Sequence, residues 1–284
     1  MAANANNNNG KPGGMYNIAA SVVLYHSPVT NILGIINSFT AVPGNNTIFL
    51  IDNSATSSAD VYAGFEKVTY IHSPKNIGFG AAHNIAMQKS IAANYKYHFI
   101  LNPDVAFEPN VIIAICRYMD GDSSIGAVMP KIIYENGATQ YLCKLLPTPI
   151  DLFARRFLPE RVSRKQQDQF ELRATGYNQI MEVPFLSGCF MALRKEALMQ
   201  CGLFDERFFM YGEDIDFSRR INEQFKTMFY PHVSIVHGYE AASYKSLKML
   251  KIHTQSIIRY FNKWGWFFDK RREETNRRIL AQFK

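Results

Sequence analysis

The sequence lacks the features that define several large protein classes. It has four cysteines in 284 residues and no Cys-x-x-Cys pair, which excludes a disulfide scaffold and a zinc knuckle and favours a reducing cytoplasm. No apolar run approaches the roughly 18 residues of a membrane helix, and no signal peptide is visible. The chain is nevertheless 47% hydrophobic and 13% aromatic, which is typical of a protein with a substantial core and excludes overall disorder.

Net basic charge is also missing from most of the chain. Residues 241–284 contain eleven Lys or Arg and three Asp or Glu, a net charge of +8, whereas residues 1–240 carry −1. A nearly neutral body argues against nucleic-acid binding, which needs basic residues spread over a face. The basic tail suits an anionic membrane surface.

The chain divides into three parts. Residues 1–14 are rich in Asn and Gly and are predicted to be a disordered leader or an expression remnant. Residues 15–240 alternate apolar runs with helical patterns, which predicts an α/β domain with a helix-covered, largely parallel sheet. Within it, residues 155–173 are polar and are predicted to be a mobile loop or a surface excursion, and a pair of strands is expected before His237. Residues 241–284 are predicted to form a helical tail rich in aromatic and basic residues.

Polar side chains follow the predicted strands at their carboxyl ends, where such sheets bind ligands. Asp52 ends the strand at residues 47–51, and Asn102-Pro103-Asp104 ends the strand at residues 97–101. Asn102 and Asp104 can direct two oxygen ligands at a hard cation such as Mg²⁺ or Mn²⁺. The alternative is an ordinary turn, since Asn, Pro and Asp all favour turns.

A second acidic element is Glu213-Asp214, which follows an aromatic run. Adjacent carboxylates repel each other, so one of them can have a raised pKa and serve as a general base. The alternative is a helix N-terminus, where acidic residues complement the helix dipole. Arg219 and Arg220 further along can contribute charge near a diphosphate or form structural ion pairs.

Weaker signals come from a histidine and a glycine-containing loop. His237 ends an apolar strand and is either a structural residue or a nitrogen ligand for a divalent ion. Asn76-x-Gly78-Phe79-Gly80 precedes a helix that carries Asn84. Glycines at this place permit close approach of a phosphate or a sugar.

Taken together and in this order, these segments resemble a family 2 glycosyltransferase of the GT-A fold. They are Asp52, the loop at residues 76–80, Asn102-Pro103-Asp104, Gly188, Glu213-Asp214 and His237. The branch is the one that includes bacterial rhamnosyltransferases of polysaccharide and O-antigen assembly. The resemblance covers residues 17–239. It implies a Rossmann-like, mixed but mostly parallel sheet flanked by helices.

The resemblance also implies roles for these residues. Glu213 and Asp214 would be the catalytic residues, with Asp214 as the base, and Asp104 and His237 would hold Mg²⁺ or Mn²⁺ on the donor diphosphate. The nucleotide-sugar would be bound by the remaining residues, namely Leu24, Tyr25, Asp52, Asn76, Gly78, Asn84, Asn102, Asp104 and Gly188. The family's D-x-D motif has Asn102 at its first position here, which replaces a charged ligand by a neutral one.

The implied reaction is an inverting, metal-dependent transfer of a sugar from a nucleotide-sugar, for example dTDP-rhamnose, to a saccharide or lipid-linked saccharide. The alternatives are a nucleotidyltransferase and a non-catalytic protein that binds sugar nucleotides or membranes. A nucleotidyltransferase normally has a glycine-rich basic first loop, and Ser21–Thr30 contains no Gly, Lys or Arg.

The tail aromatics either bind the inner face of the cytoplasmic membrane peripherally or pack on the domain or in a dimer. Homo-oligomerisation is left open.

Overall fold

The structure is a computed structural model that describes residues 15–152, 160–238 and 247–284. Its strands are β1 (Tyr16–Leu24), β2 (Gly44–Asp52), β3 (Val68–His72), β4 (Tyr97–Leu101), β5 (Val105–Ala106), β6 (Ile125–Ile133), β7 (Met181–Glu182), β8 (Phe190–Arg194) and β9 (Lys226–His237). Its helices are α1 (Val29–Thr40), α2 (Ala59–Tyr62), α3 (Phe79–Ala92), α4 (Pro109–Asp120), α5 (Glu160–Phe170), α6 (Lys195–Cys201), α7 (Glu213–Asn222), α8 (Leu247–Trp264) and α9 (Lys270–Ala281).

The strands form one mixed sheet in the order β3-β2-β1-β4-β8-β6-β9-β5, and β7 pairs with β9. The half that contains β3, β2, β1 and β4 is parallel. β8 then pairs antiparallel with β4 and β6, while β6 and β9 are parallel. The predicted α/β architecture with a mixed sheet and flanking helices is confirmed.

Burial explains why these segments become strands and helices. Every residue of β4 is buried, as expected for a strand covered by helices on both faces. On α1 the buried side chains are Ile32, Ile35, Ile36 and Phe39, which is the spacing of one helix face turned to the core.

The register of the parallel half brings the predicted polar segments to one edge. Leu24, the last residue of β1, lies opposite Asp52, the last residue of β2. Leu101, the last residue of β4, lies opposite Val22 on the other side of β1. The segments that follow these strands therefore meet at the carboxyl edge, where open α/β sheets bind ligands.

Two local expectations are wrong. The predicted pair of strands before His237 is the single strand β9. The polar segment at residues 155–173, predicted to be a mobile loop or a surface excursion, contains helix α5. It is therefore not a loop over residues 160–170, because polar residues such as Gln, Lys and Glu are themselves good helix formers. The predicted disordered leader at residues 1–14 lies outside the described residues.

The tail is helical where it is described, in α8 and α9. Across the three described ranges, no helix combines the length and the apolarity required to traverse a bilayer.

Candidate active site

Asp52 lies at the carboxyl end of β2, and both of its carboxylate oxygens accept hydrogen bonds. Oδ2 accepts a hydrogen bond from the Tyr70 hydroxyl at 2.6 Å, and Oδ1 accepts one from the Ser54 amide at 2.9 Å. Burial alone would raise the pKa of Asp52, but these hydrogen bonds outweigh it and lower the pKa. Asp52 is therefore a fixed anion at the edge of the sheet, next to buried Leu24 and exposed Tyr25.

The loop after β3 is joined to the end of β2 through two asparagines. Asn53 Nδ2 donates to Asn76 Oδ1 at 3.3 Å and to the Gly78 carbonyl at 3.2 Å. Asn76 Oδ1 also accepts from the Gly78 amide at 3.0 Å. Because Asn53 Oδ1 is buried without a hydrogen bond, an unused acceptor remains at this point of the site.

Gly78 is required for this loop to approach the segment before α7. Its φ is +95°, and a Cβ at this position would lie 2.4 Å from the carbonyl oxygen of Phe209. The next amide, of Phe79, donates to that same oxygen at 2.9 Å. Only glycine fits both the backbone conformation and the space.

Asn84 on α3 binds the protein itself. Its amide donates to the Phe204 carbonyl and to Glu206 Oε1, both at 2.9 Å, and its oxygen accepts from the Phe204 amide at 2.9 Å. The side chain thus fastens the segment around residue 204 to α3. Its predicted contact with the nucleotide-sugar stays a prediction.

Asn102, Asp104 and His237 come together although 135 residues of sequence separate the first from the last. β5 pairs with the end of β9, which places Val105 opposite His237. His237 Nε2 lies 3.4 Å from Asp104 Oδ1 and 3.3 Å from Asn102 Nδ2. Asp104 Oδ1 is buried and has no hydrogen-bond partner among the described residues.

Gln140 determines which nitrogen of His237 is available. Its Nε2 donates to the His237 carbonyl at 2.8 Å, so its Oε1 faces His237 Nδ1 at 2.9 Å. This contact places the proton on Nδ1 and leaves Nε2 as the acceptor directed at Asp104.

This donor set fits a hard divalent cation. Three groups are suitable ligands for Mg²⁺ or Mn²⁺. They are Asp104 Oδ1, which has no hydrogen-bond partner among the described residues, the His237 Nε2 atom, which Gln140 orients, and the neighbouring amide side chain of Asn102. The described ranges contain no group of three or more His, Cys, Asp or Glu side chains arranged around one point.

Glu213 and Asp214 begin α7 and differ in access. Glu213 is buried, with Oε2 lacking a hydrogen bond, whereas Asp214 is only half-buried. Asp214 Oδ2 accepts from the Gly188 amide at 3.3 Å, and Oδ1 accepts from the Ile215 amide at 2.9 Å. Of the two carboxylates, Asp214 is the one that a substrate can reach.

Both carboxyl groups hold their protons more tightly than usual. Burial, and then the charge of Asp214, raises the pKa of Glu213 well above its ordinary range. Burial also raises the pKa of Asp214, but the Gly188 amide and the charge of Lys144 oppose that increase. The result is a buried group that favours the neutral form beside an accessible group suited to accept a proton.

Two consecutive residues, Gly188 and Cys189, connect the candidate metal ligands with the candidate base. The Gly188 amide donates to Asp214, and the carbonyl of the next residue, Cys189, accepts from the Asn102 amide at 2.8 Å. A Cβ on Gly188 would lie 3.3 Å from the Phe79 ring and 3.5 Å from the Asp214 Cβ. A side chain at this position would therefore press on both the Phe79 ring and the candidate base.

Arg219 and Arg220 form structural ion pairs. Arg219 is buried and binds both carboxylate oxygens of Asp269 at 2.7 and 2.9 Å. Arg220 binds Asp216 at 2.9 Å and also donates to the carbonyls of Cys201 and Leu203. Of the two roles considered for these arginines, the structure shows the ion pairs.

Two residues of the site were missed from the sequence. Gln140 lies in an irregular segment after β6, and Lys144 is an isolated lysine among apolar residues. Neither belongs to a motif, and only the fold brings Gln140 to His237 and Lys144 near Asp214.

Known proteins are similar to this chain in family and in fold. The family model described as glycosyltransferase like family 2 matches residues 19–254. An N-acetylglucosaminyl-diphospho-decaprenol L-rhamnosyltransferase of Mycobacterium tuberculosis is 26% identical over 206 residues, which are 67% of this chain and 66% of that protein. The low-salt glycan biosynthesis hexosyltransferase Agl10 of Haloferax volcanii is 22% identical over 66% of this chain and 57% of its own length. The chain thus spans less than two thirds of the length of these curated relatives.

Solved structures share the fold at low identity. GalNAc-T7 with UDP, GalNAc and Mn²⁺ superposes with a TM-score of 0.59 at 16% identity, over 87% of this chain and 48% of that one. The mannosyltransferase PcManGT of Pyrobaculum calidifontis, with GDP-Man and Mn²⁺, gives a TM-score of 0.54 at 12% identity, over 95% of this chain and 75% of that one.

Proposed function

The chain belongs to glycosyltransferase-like family 2, and from this membership we propose that it is an inverting, divalent-metal-dependent glycosyltransferase. The observation that carries the proposal is the link through Gly188 and Cys189. It holds an accessible carboxylate, Asp214, and a candidate metal site, Asp104 with His237, at one edge of the sheet. An enzyme that transfers a sugar from a nucleotide-sugar needs a base and a diphosphate site in this arrangement.

Each part of the site has a task in this reaction. The end of β2, with Asp52 and Asn53, and the loop with Asn76 and Gly78 bind the nucleoside and the sugar of the donor. Asp104 and His237, with Asn102, hold the cation. When bound, the cation offsets the charge that develops on the departing diphosphate.

Asp214 removes the proton from the acceptor hydroxyl as its oxygen attacks the anomeric carbon. The bond to the diphosphate breaks in the same displacement, so the anomeric configuration inverts and no covalent intermediate forms. Because burial raises the pKa of Asp214, the carboxylate accepts a proton more readily than an exposed aspartate would. Buried Glu213 stays out of contact with the substrate.

For the substrates, we propose dTDP-rhamnose as donor and a lipid-linked saccharide as acceptor, in assembly of a cell-surface polysaccharide or O-antigen. The support is the relative named as a rhamnosyltransferase that acts on N-acetylglucosaminyl-diphospho-decaprenol. A lipid-linked acceptor places the protein in the cytoplasm, peripherally on the inner face of the membrane. We propose residues 15–240 as the catalytic domain and residues 241–284 as its tail.

A donor screen tests the function. The protein is incubated with Mn²⁺ or Mg²⁺ and a panel of nucleotide-sugars, and release of nucleoside diphosphate is measured for wild type and Asp214→Asn. Asp122→Asn, an exposed carboxylate paired with Lys226, is the matched control. We expect metal-dependent release from one donor, abolished only in Asp214→Asn. Failure of the folded protein to bind any nucleotide-sugar would refute the proposal and favour a non-catalytic function.

A further inference from the structure

The tail aromatics fall into two groups with opposite environments. Tyr260 and Phe261 on α8 are buried against the body, in a cluster with Phe185 and Phe208. In the turn between α8 and α9, by contrast, Phe267 is 69% exposed and Phe268 is 98% exposed. Packing on the domain therefore accounts for the first group and leaves the second unexplained.

The turn that carries the exposed pair is held in a fixed shape. The buried Arg272 guanidinium donates to the carbonyl oxygens of Trp266 and Phe267 at 3.3 to 3.5 Å. Asp269 caps α9 by accepting from the Arg272 amide at 3.0 Å. The two phenyl rings are thus presented by an ordered backbone, so binding through them pays little additional backbone entropy.

Exposed basic residues follow the two phenylalanines in the sequence. Lys270 and Arg271 follow the turn, with side chains 89% and 74% exposed. Their ion pairs, to Glu274 at 3.8 Å and Glu223 at 3.5 Å, are long and solvent-exposed, and such pairs compete weakly with another anionic partner. Exposed aromatic rings flanked by cations match the boundary between headgroups and acyl chains of an anionic bilayer.

We propose that Phe267, Phe268, Lys270 and Arg271 form an aromatic tip that inserts into the surface of an anionic lipid bilayer. A patch of two rings is far smaller than the area buried in a stable protein–protein interface, which favours the bilayer over a second copy of the chain. The rings enter the acyl boundary while the two cations bind lipid phosphates.

The aromatic tip adjoins the helix that begins with the candidate base. Asp269, the residue after Phe268, binds Arg219 on α7, and Arg219 lies five residues, about 7.5 Å of helix rise, beyond Asp214. Docking through the tip would therefore hold α7, and Asp214 with it, close to a membrane that carries a lipid-linked acceptor. This last step rests on the proposed function. Lipid binding by the tip does not rest on it, and it is measured in an assay without sugar transfer.

The test is co-sedimentation with vesicles of phosphatidylcholine alone or with 30 mol% phosphatidylglycerol. Variants are Phe267→Ser/Phe268→Ser and Lys270→Gln/Arg271→Gln, with Met199→Ser, a comparably exposed apolar residue of the body, as control. We expect wild type and Met199→Ser to bind the anionic vesicles. The Phe variant should lose roughly tenfold or more in partitioning. The basic variant should lose about fivefold per charge on anionic vesicles only.

Intrinsic fluorescence supplies an independent readout, because the chain's two tryptophans, Trp264 and Trp266, both adjoin the aromatic tip. Lipids brominated in the acyl chains should quench this fluorescence when wild type binds. Binding without quenching, equal binding by the Phe variant, or no binding by folded wild type would each overturn the proposal. A dimer that the Phe variant disrupts would instead make the tip a protein interface.

Discussion

The ion pair between Arg219 and Asp269 should be the strongest polar link between the tail and the body. The Arg219 side chain is 2% exposed and the Asp269 side chain 4%, and the Arg219 guanidinium stacks on the Trp264 ring at 4.0 Å. Asp269→Ala would leave this guanidinium buried without its carboxylate, which costs about 3–5 kcal/mol. The lost cap of α9 adds about 1 kcal/mol. The expected loss of unfolding free energy is therefore roughly 4–6 kcal/mol.

The assay is chemical unfolding followed by circular dichroism, with a double-mutant cycle. Arg219→Met/Asp269→Ala removes both charges and should recover part of the loss, with a coupling of about 2–4 kcal/mol. Lys226→Ala breaks an ion pair of similar length, 3.0 Å to Asp122, in which the two side chains are 50% and 40% exposed, and should cost at most about 1 kcal/mol. If Asp269→Ala cost no more than Lys226→Ala, or if the two changes were additive, the reasoning would be refuted.

Three further predictions follow from other parts of the fold. Gln140→Leu should weaken binding of Mn²⁺ by roughly 10–100-fold, measured by calorimetry, because it removes the acceptor that orients His237. Gly78→Ala should destabilise the protein by about 1–3 kcal/mol in urea unfolding, because the new Cβ meets a carbonyl oxygen at 2.4 Å in a strained conformation. The free energy of unfolding should also fall below about pH 6.5, because His83 and His98 are buried as neutral groups that are hydrogen-bonded to the Ser21 hydroxyl. Burial lowers the pKa of both, that of His98 to about 3.

The sign of the pH effect follows from proton uptake. In the unfolded chain each histidine binds a proton near pH 6.5, whereas in the folded protein it stays neutral, so acid favours unfolding by about 1.4 kcal/mol per pH unit and histidine. His98→Gln should remove one such contribution, and an unchanged slope of stability against pH would contradict it.

Control variants distinguish the other two predicted effects from nonspecific effects of substitution. Gly137 also has a positive φ, +81°, but no atom lies within 4 Å of its added Cβ, so Gly137→Ala should cost less than Gly78→Ala. For Gln140→Leu, metal affinity equal to that of wild type would count against His237 as a ligand.

Much of the architecture could be predicted from the sequence, because the patterns that indicate strands and helices extend over only a few residues. The apolar runs of β1, β2, β3 and β4 are separated by helical patterns, and this alternation is typical of parallel α/β sheets. The order of the motifs then identified the family, which the comparison with known proteins confirms. The roles of the predicted site residues stay predictions.

The tertiary structure decided what depends on contacts between distant residues. The sequence determined that Asp52, Asp104, Asp214 and His237 follow or adjoin regular elements, because strand and turn patterns are encoded over a few residues. It could not determine that Gln140 orients His237, that Glu213 is buried while Asp214 is accessible, or that the tail divides into buried and exposed aromatics. These features arise from long-range packing, since whether a side chain is covered depends on elements distant in sequence, as when Tyr260 and Phe261 of α8 pack on Phe185 and Phe208.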